Sequence, residues 1–232
     1  MKKMLNIDSS ASLAKVIDHS ILRPNFTELE VEKEIRIALK WNVASVCVMP
    51  CYLPLVVNML RGTSIYPCTV SGFPLGYIGQ INKIFGVRNS IHSGAKEIDH
   101  VINISKVVSE KWNEVEHEVQ TVTNECHSKN AKIKIIFENC YLTDAQKVKL
   151  TRICCRNDVD WIKTSTGFGP SGAKLFDVEL MMSHVSGSTQ VKAAGGIKTF
   201  EDMLAYVKAG CTRCGCSSTD EVLTKAREFY GC

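Results

Sequence analysis

Two lysines and an aspartate stand out because each lies in a stretch that otherwise reads as buried strand. Lys163 follows Val159-Asp160-Trp161-Ile162 and precedes the small, glycine-broken run Thr164-Ser165-Thr166-Gly167-Phe168-Gly169. A strongly hydrated ammonium in an apolar strand is costly unless it is paired, deprotonated or in use. An amine there is suited to attack a carbonyl carbon and form a Schiff base. The alternative is a lysine that snorkels to the strand end and pairs with a carboxylate. Lys192, in Gln190-Val191-Lys192-Ala193-Ala194, ends the next strand-like run. Two ammoniums close together repel, and the repulsion is expected to lower the pKa of one of them from the free value of about 10.4. Lys192 could equally hold a ligand anion. Asp99, in Gly94-Ala95-Lys96-Glu97-Ile98-Asp99, needs cationic partners in its apolar run, and the two lysines are the candidates. With Lys192 it could relay protons through water; alone it could be half of a structural ion pair. His100 faces the other side of the strand by period-2 alternation and is expected to pack or cap.

A second set of residues is suited to an anion. Gly195-Gly196 leads into a helical pattern that starts at Thr199, and Gly215-Cys216-Ser217-Ser218 leads into the last helical pattern. Glycine turns expose backbone N–H groups, and helix N-termini favour phosphate. Ordinary tight turns are the alternative. A phosphate held by Gly195, Gly196, Gly215, Ser217 and Ser218 would lie one strand from Lys163, so a short phosphorylated aldehyde could bridge the two.

These residues must be positioned by strands and helices that alternate along the chain. Strand-like runs are read at 15–19, 44–49, 68–73, 97–104, 132–138, 159–165, 190–194 and 211–216. Helical periodicity is read at 27–41, 80–93, 106–128, 143–155, 173–185, 199–209 and 219–229. Thr143-Asp144-Ala145-Gln146 fits a capping box, and Glu201 and Asp202 suit a helix start after Thr199. Eight strands, several apolar on both faces, predict a TIM (β/α)8 barrel, with an open doubly wound sheet as the competing architecture. In such a barrel the active site lies at the C-terminal strand ends, and phosphate sites recur after strands seven and eight. No linker divides the chain, so a single domain over residues 1–232 is expected.

Composition narrows the function classes. The net charge of +4 is mild, and no Lys/Arg run interleaves with aromatics, so nucleic acid is not an expected partner. The opening Met1-Lys2-Lys3-Met4 is followed by no apolar signal core, and no stretch of about 18 apolar residues occurs. The expectation is a cytoplasmic protein that does not engage a membrane. In that setting the eleven cysteines are read as reduced thiols, mostly buried fillers. Cys211, Cys214 and Cys216 have no partner motif at metal-ligand spacing, so no metal is expected.

The motifs taken together resemble deoxyribose-phosphate aldolases. Asp18-His19-Ser20-Ile21-Leu22-Arg23-Pro24 is similar to that family's opening motif, and Ser45 to Pro50 to its second strand. Val70 to Gly76 is similar to its third-strand turn, while Gly94 to Asp99, Lys163 to Phe168 and Lys192 to Ile197 resemble its catalytic motifs. Gly215 to Ser218 resembles its last phosphate turn. The resemblance implies a class I lyase without metal or other cofactor. Its reaction would cleave 2-deoxy-D-ribose 5-phosphate reversibly to D-glyceraldehyde 3-phosphate and acetaldehyde. By motif, Lys163 would be the Schiff-base lysine, and Asp99 with Lys192 the proton relay. Gly195, Gly196, Gly215, Ser217 and Ser218 would hold phosphate, with Asp18, Cys47 and Thr166 near the substrate. His100, Cys214, Cys216 and the Phe168 to Gly172 loop depart from the family's usual residues, and Tyr230 is expected to end the last helix. A phosphorylated sugar is the expected partner, and a homo-oligomer is allowed. Two other readings stay open: a sugar-phosphate binder that has lost activity, and an isomerase, which would more usually carry a carboxylate base in place of the second lysine.

Overall fold

Which side chains face inward follows from strand register, because partners in a parallel pair share a face. The computed structural model describes residues 5–231. Eight parallel strands run in chain order: β1 (Ile17–Ile21), β2 (Ser45–Val48), β3 (Tyr66–Ser71), β4 (Glu97–Val101), β5 (Lys132–Ile136), β6 (Trp161–Lys163), β7 (Gln190–Ala194) and β8 (Arg213–Cys216). β8 pairs back onto β1, with Asp18 opposite Gly215, so the sheet closes into a barrel. That closure excludes the open doubly wound sheet.

One inward face can be followed around the ring. Ser20 lies opposite Cys47, Cys47 opposite Cys68, and Val70 opposite Asp99. Asp99 lies opposite Lys134, Lys134 opposite Trp161, Lys163 opposite Lys192, and Lys192 opposite Arg213. The inner face is therefore rich in charge. The outer face is largely apolar: Val46, Ile98, Ile133, Ile135, Ile162, Val191 and Cys214 pack with the surrounding helices into the main core. Fully burying each such aliphatic side chain contributes about 1.5–3 kcal/mol.

The surrounding helices are α1 (Ser10–Ala14), α2 (Glu28–Trp41), α3 (Leu53–Met59), α4 (Gln80–His92) and α5 (Ile104–Val108), then α6 (Trp112–His127), α7 (Asp144–Arg156), α8 (Leu175–His184), α9 (Phe200–Lys208) and α10 (Thr219–Tyr230). Thr143 and Gln146 form the capping box of α7, and Thr199 and Asp202 form that of α9. Tyr230 ends α10, its ring edge-on to Phe200 at 6.0 Å.

Some boundaries differ from the periodicity. The helix expected over 106–128 is split into α5 and α6, with Glu110 left-handed at φ 55° in the break. α1 and α3 are too short to show a periodic stripe. In α4 the apolar residues Ile81 and Phe85 are exposed, and the buried face carries Lys83, Val87 and Ser90. Lys83 can be buried because its ammonium meets Glu118 Oε1 at 2.6 Å and donates to the Val101 carbonyl at 2.8 Å. His100 points out of the barrel into this cluster, with Nε2 3.0 Å from Glu118 Oε1.

Candidate active site

Inward-facing charge at the C-terminal half of the barrel converges on one carboxylate. Asp99 Oδ2 lies 2.7 Å from Lys163 Nζ and 2.7 Å from Lys192 Nζ. The two amines expected to be neighbours therefore share a single oxygen, and their separation cannot exceed the sum of those distances. Lys192 also meets Asp18 Oδ2 at 2.5 Å. Lys134 lies 2.8 Å from Asp99 Oδ1, 2.6 Å from Glu97 Oε2 and 3.3 Å from Asp18 Oδ2. Arg213 forks onto both oxygens of Glu97, at 3.0 and 2.8 Å, and also pairs with Asp18. Four cations thus share three carboxylates, and every member is buried.

Of the two lysines expected to repel, Lys192 is not the one whose pKa is lowered. Burial alone would push its ammonium down, but Asp18 and Asp99 outweigh burial and hold it above the ordinary lysine value. Lys134 is raised well above that value: burial opposes the charge, and Asp18 and Asp99 overcome it. Asp99 is held well below the carboxylate range, because Lys134, Lys163 and Lys192 together exceed the effect of burial. Asp18 is lowered in the same way, by Arg213, Lys134 and Lys192 against burial.

Lys134, Glu97 and Arg213 were not foreseen. Each carried a readable signal. Glu97 stands two residues before Asp99, and Arg213 two before Gly215, so strand alternation places each pair on one face. Lys134 sits mid-strand between isoleucines, as Lys163 sits after Ile162.

Above the network opens a cavity of about 300 Å³ at the barrel mouth. Lys163, Thr166, Gly195, Gly196, Gly215 and Ser217 line it, all of them residues singled out from the sequence. Asp99, Lys192, Asp18 and Cys47 are wholly buried and do not line it. Ser218 is at the N-cap of α10 and contributes no side-chain capping bond. Arg23 and Lys198 also line the cavity and supply positive charge that the glycine turns had not suggested. Gly195 (φ 88°) and Gly196 (φ 81°) are left-handed, a conformation that favours glycine. A Cβ on Gly195 would come within 2.9 Å of Gly172 Cα, so the β6 and β7 loops can cross there only without side chains.

The cysteines do not assemble as the C-terminal spacing could suggest. Among the described residues, metal-ligating atoms gather at Cys47, Cys68 and Asp99, within 4.8 Å of one another. Lys134 Nζ lies 3.3 Å from Cys68 Sγ and 2.8 Å from Asp99 Oδ1. Its ammonium already takes the place a cation would fill.

A buried amine at the cavity floor, with a carboxylate fixed beside it, can condense with a carbonyl. The anion-favouring turns on the adjoining wall can orient a phosphorylated molecule for that step.

The comparisons agree with this chemistry. A family model described as DeoC/LacD family aldolase matches residues 12–216. A deoxyribose-phosphate aldolase of Rhodopirellula baltica is 42% identical over 219 residues, covering 94% of this chain and 91% of that protein. One of Clostridium tetani is 41% identical over 215 residues, covering 93% and 99%. The tetrameric deoxyribose phosphate aldolase of Aeropyrum pernix superposes with a TM-score of 0.88 at 28% identity, covering 96% of this chain and 94% of that one. With that match over most of its length, and an amine-floored barrel to match, the chain belongs to the DeoC/LacD aldolase family.

Proposed function

We infer that the chain is a class I aldolase that cleaves 2-deoxy-D-ribose 5-phosphate reversibly to D-glyceraldehyde 3-phosphate and acetaldehyde. The observation that carries the reading is the position of Lys163. Of the four cations in the buried network, Lys163 alone lines the cavity, and it does so together with the glycine turns at Gly195, Gly196 and Gly215.

The contacts set Lys163 apart. Lys192 contacts two carboxylates, Lys134 three and Arg213 two, whereas Lys163 has Asp99 alone among them. Lys163 alone combines a single partner among these carboxylates with a place in the cavity wall, so it is the member that meets the aldehyde, reacting as the amine once its proton has passed to water. The free amine then adds to the aldehyde carbon, water leaves, and an iminium forms. Asp99 pairs with that iminium as it paired with the ammonium, so the buried charge count is unchanged across the step. Withdrawal of electrons into the iminium lets the C2–C3 bond break once the C3 hydroxyl loses its proton. The phosphorylated fragment departs. The enamine left on Lys163 takes a proton at carbon and is hydrolysed to acetaldehyde. A water ordered by Asp99 and Lys192 serves the proton steps, an effect typically of about 10²–10⁴-fold.

Gly195, Gly196, Gly215 and Ser217 hold the phosphate, with Arg23 and Lys198 beside them. Ser218 supports the turn, and Thr166 closes the opposite wall. Asp18 and Cys47 act from beneath, Asp18 by holding Lys192. Among the described residues no carboxylate lines the cavity, which speaks against an isomerase that uses a carboxylate base. The ten described cysteines are free, which suits a reducing cytoplasm. No described helix is long and apolar enough to cross a membrane. We take the chain as a single catalytic unit that assembles as a homo-oligomer. The test is release of glyceraldehyde 3-phosphate from 2-deoxy-D-ribose 5-phosphate in a coupled assay. Turnover by the wild type that is lost in Lys163→Ala supports the reading; turnover that survives in Lys163→Ala refutes it.

A further inference from the structure

Glu138 carries no role in the chemistry above, yet it is built into the site with unusual constraint. It is 2% exposed and left-handed at φ 55°, ψ 62°, a conformation uncommon for residues other than glycine. Its two neighbours in sequence are tied to the segment that follows Lys163. Phe137 N–H donates to the Lys163 carbonyl at 2.9 Å, and Asn139 N–H donates to the Thr164 carbonyl at 2.9 Å. Between these two bonds the Glu138 carboxylate crosses to Thr166. It accepts from the Thr166 N–H at 3.2 Å and from the Thr166 hydroxyl through a very short contact. Thr166 Oγ1 in turn accepts the Phe168 N–H at 3.0 Å. The Phe168 ring stands edge-on to Phe73, on the turn after β3, with centroids 5.3 Å apart. Gly169 lies directly on the carboxylate: a Cβ there would come within 3.1 Å of Glu138 Cδ and 2.9 Å of Cys140 Sγ.

We propose that Glu138 is a positioning residue for the aldolase reaction, fixing the Thr166-Gly167-Phe168 wall of the cavity against which the phosphorylated substrate is held. The proposal rests on the aldolase reading given above. Thr166, Gly167 and Phe168 all line the cavity, whereas Glu138 does not. The hydroxyl proton of Thr166 is committed to Glu138, so Thr166 serves as a fixed acceptor and steric wall. Backbone strain of this kind persists where surrounding contacts over-determine it, and such positions cluster at functional sites. Misplacement of a substrate-positioning wall by about 1 Å can lower the rate about 10²-fold.

The test uses Glu138→Ala, Glu138→Gln, Thr166→Val and the double variant Glu138→Ala/Thr166→Val, each with two readouts. One is kcat/KM for 2-deoxy-D-ribose 5-phosphate. The other is the rate of borohydride trapping of acetaldehyde on Lys163, a two-carbon fragment that does not need the wall. Glu138→Ala is expected to lower kcat/KM by at least tenfold while trapping stays within threefold of wild type. Glu138→Gln keeps an acceptor for Thr166 and is expected to recover most of kcat/KM. The double variant is expected to be no worse than Glu138→Ala, because both act through one contact. Wild-type kcat/KM in Glu138→Ala, or single losses that multiply in the double variant, overturns the proposal. If Glu138→Ala does not fold, Thr166→Val carries the test: a tenfold loss with intact trapping supports the clamp, and no loss overturns it. Absence of trapping in the wild type would instead condemn the aldolase reading.

Discussion

Asp99→Asn separates a structural role for the network from a catalytic one. The substitution keeps the shape and removes one negative charge, leaving Lys134, Lys163, Lys192 and Arg213 facing Asp18 and Glu97 alone. Breaking a buried pair typically costs about 3–5 kcal/mol, because a buried charge is left uncompensated. The protein has one relief: a lysine can enter the folded state neutral. Giving up a proton at pH 7 from an unfolded value near 10.4 costs about 4.6 kcal/mol, at about 1.36 kcal/mol per pH unit. That route caps the destabilisation, so a loss of about 3–5 kcal/mol is expected, or about 6–20 °C in Tm for a chain of this length. The sign of its pH dependence follows. If a lysine is neutral when folded, the unfolded chain binds more protons, and stability rises with pH up to about 10.4. Urea denaturation followed by circular dichroism at pH 7 and pH 9 reads both quantities. The variant should be less stable than wild type at pH 7 and recover part of the difference at pH 9. A variant as stable as wild type at pH 7, with no gain at pH 9, would refute the assignment of Asp99 as the hub of the buried charge. Turnover should fall by about 10²–10⁴-fold at either pH.

Three further outcomes are expected. Lys192→Leu should keep the fold but lower turnover by about 10²–10⁴-fold in the coupled assay, and full activity would dismiss it from the proton steps. Gly172→Ala places a Cβ on the Gly195 carbonyl and must shift the phosphate-side turn. It should raise KM for the phosphorylated sugar far more than it slows trapping of acetaldehyde, and an unchanged KM would separate Gly195 from phosphate binding. Acid should unfold the wild type steeply. Asp18 and Asp99 titrate below their unfolded values, so their contribution is present above about pH 4 and is lost as pH falls through the folded values. A urea midpoint that is flat from pH 5 to pH 3 would contradict this.

The barrel was legible because alternation and punctuation agree in this chain. Apolar runs such as 132–138 and 190–194 end within two residues of the observed strands, and threonine caps marked α7 and α9. The same logic exposed Lys163, Lys192 and Asp99, since a charge in such a run demands a partner. It passed over Glu97 and Arg213 because they begin their strands, where charges are usually solvated, and over Lys134 because nothing in its own segment names the carboxylates of β1 and β4 that it meets. Closure of the barrel turns those starts inward as well. The sign of the Lys192 shift was hidden for a related reason. Repulsion between two lysines can be read from their spacing, but Asp18, which reverses it, lies 174 residues away and meets Lys192 only because β8 returns to β1. In α4 the buried face holds a lysine that periodicity alone does not predict, since Glu118 on α6 and the Val101 carbonyl stabilise it there.

The central claim is that one amine, Lys163, bonds covalently to the substrate's carbonyl carbon. Incubating the protein with acetaldehyde, reducing with borohydride and mapping the peptides by mass spectrometry tests it directly. An ethyl group on Lys163, absent from Lys163→Ala, is the predicted result; an unlabelled protein, or a label on Lys192 or another lysine in its place, would contradict it.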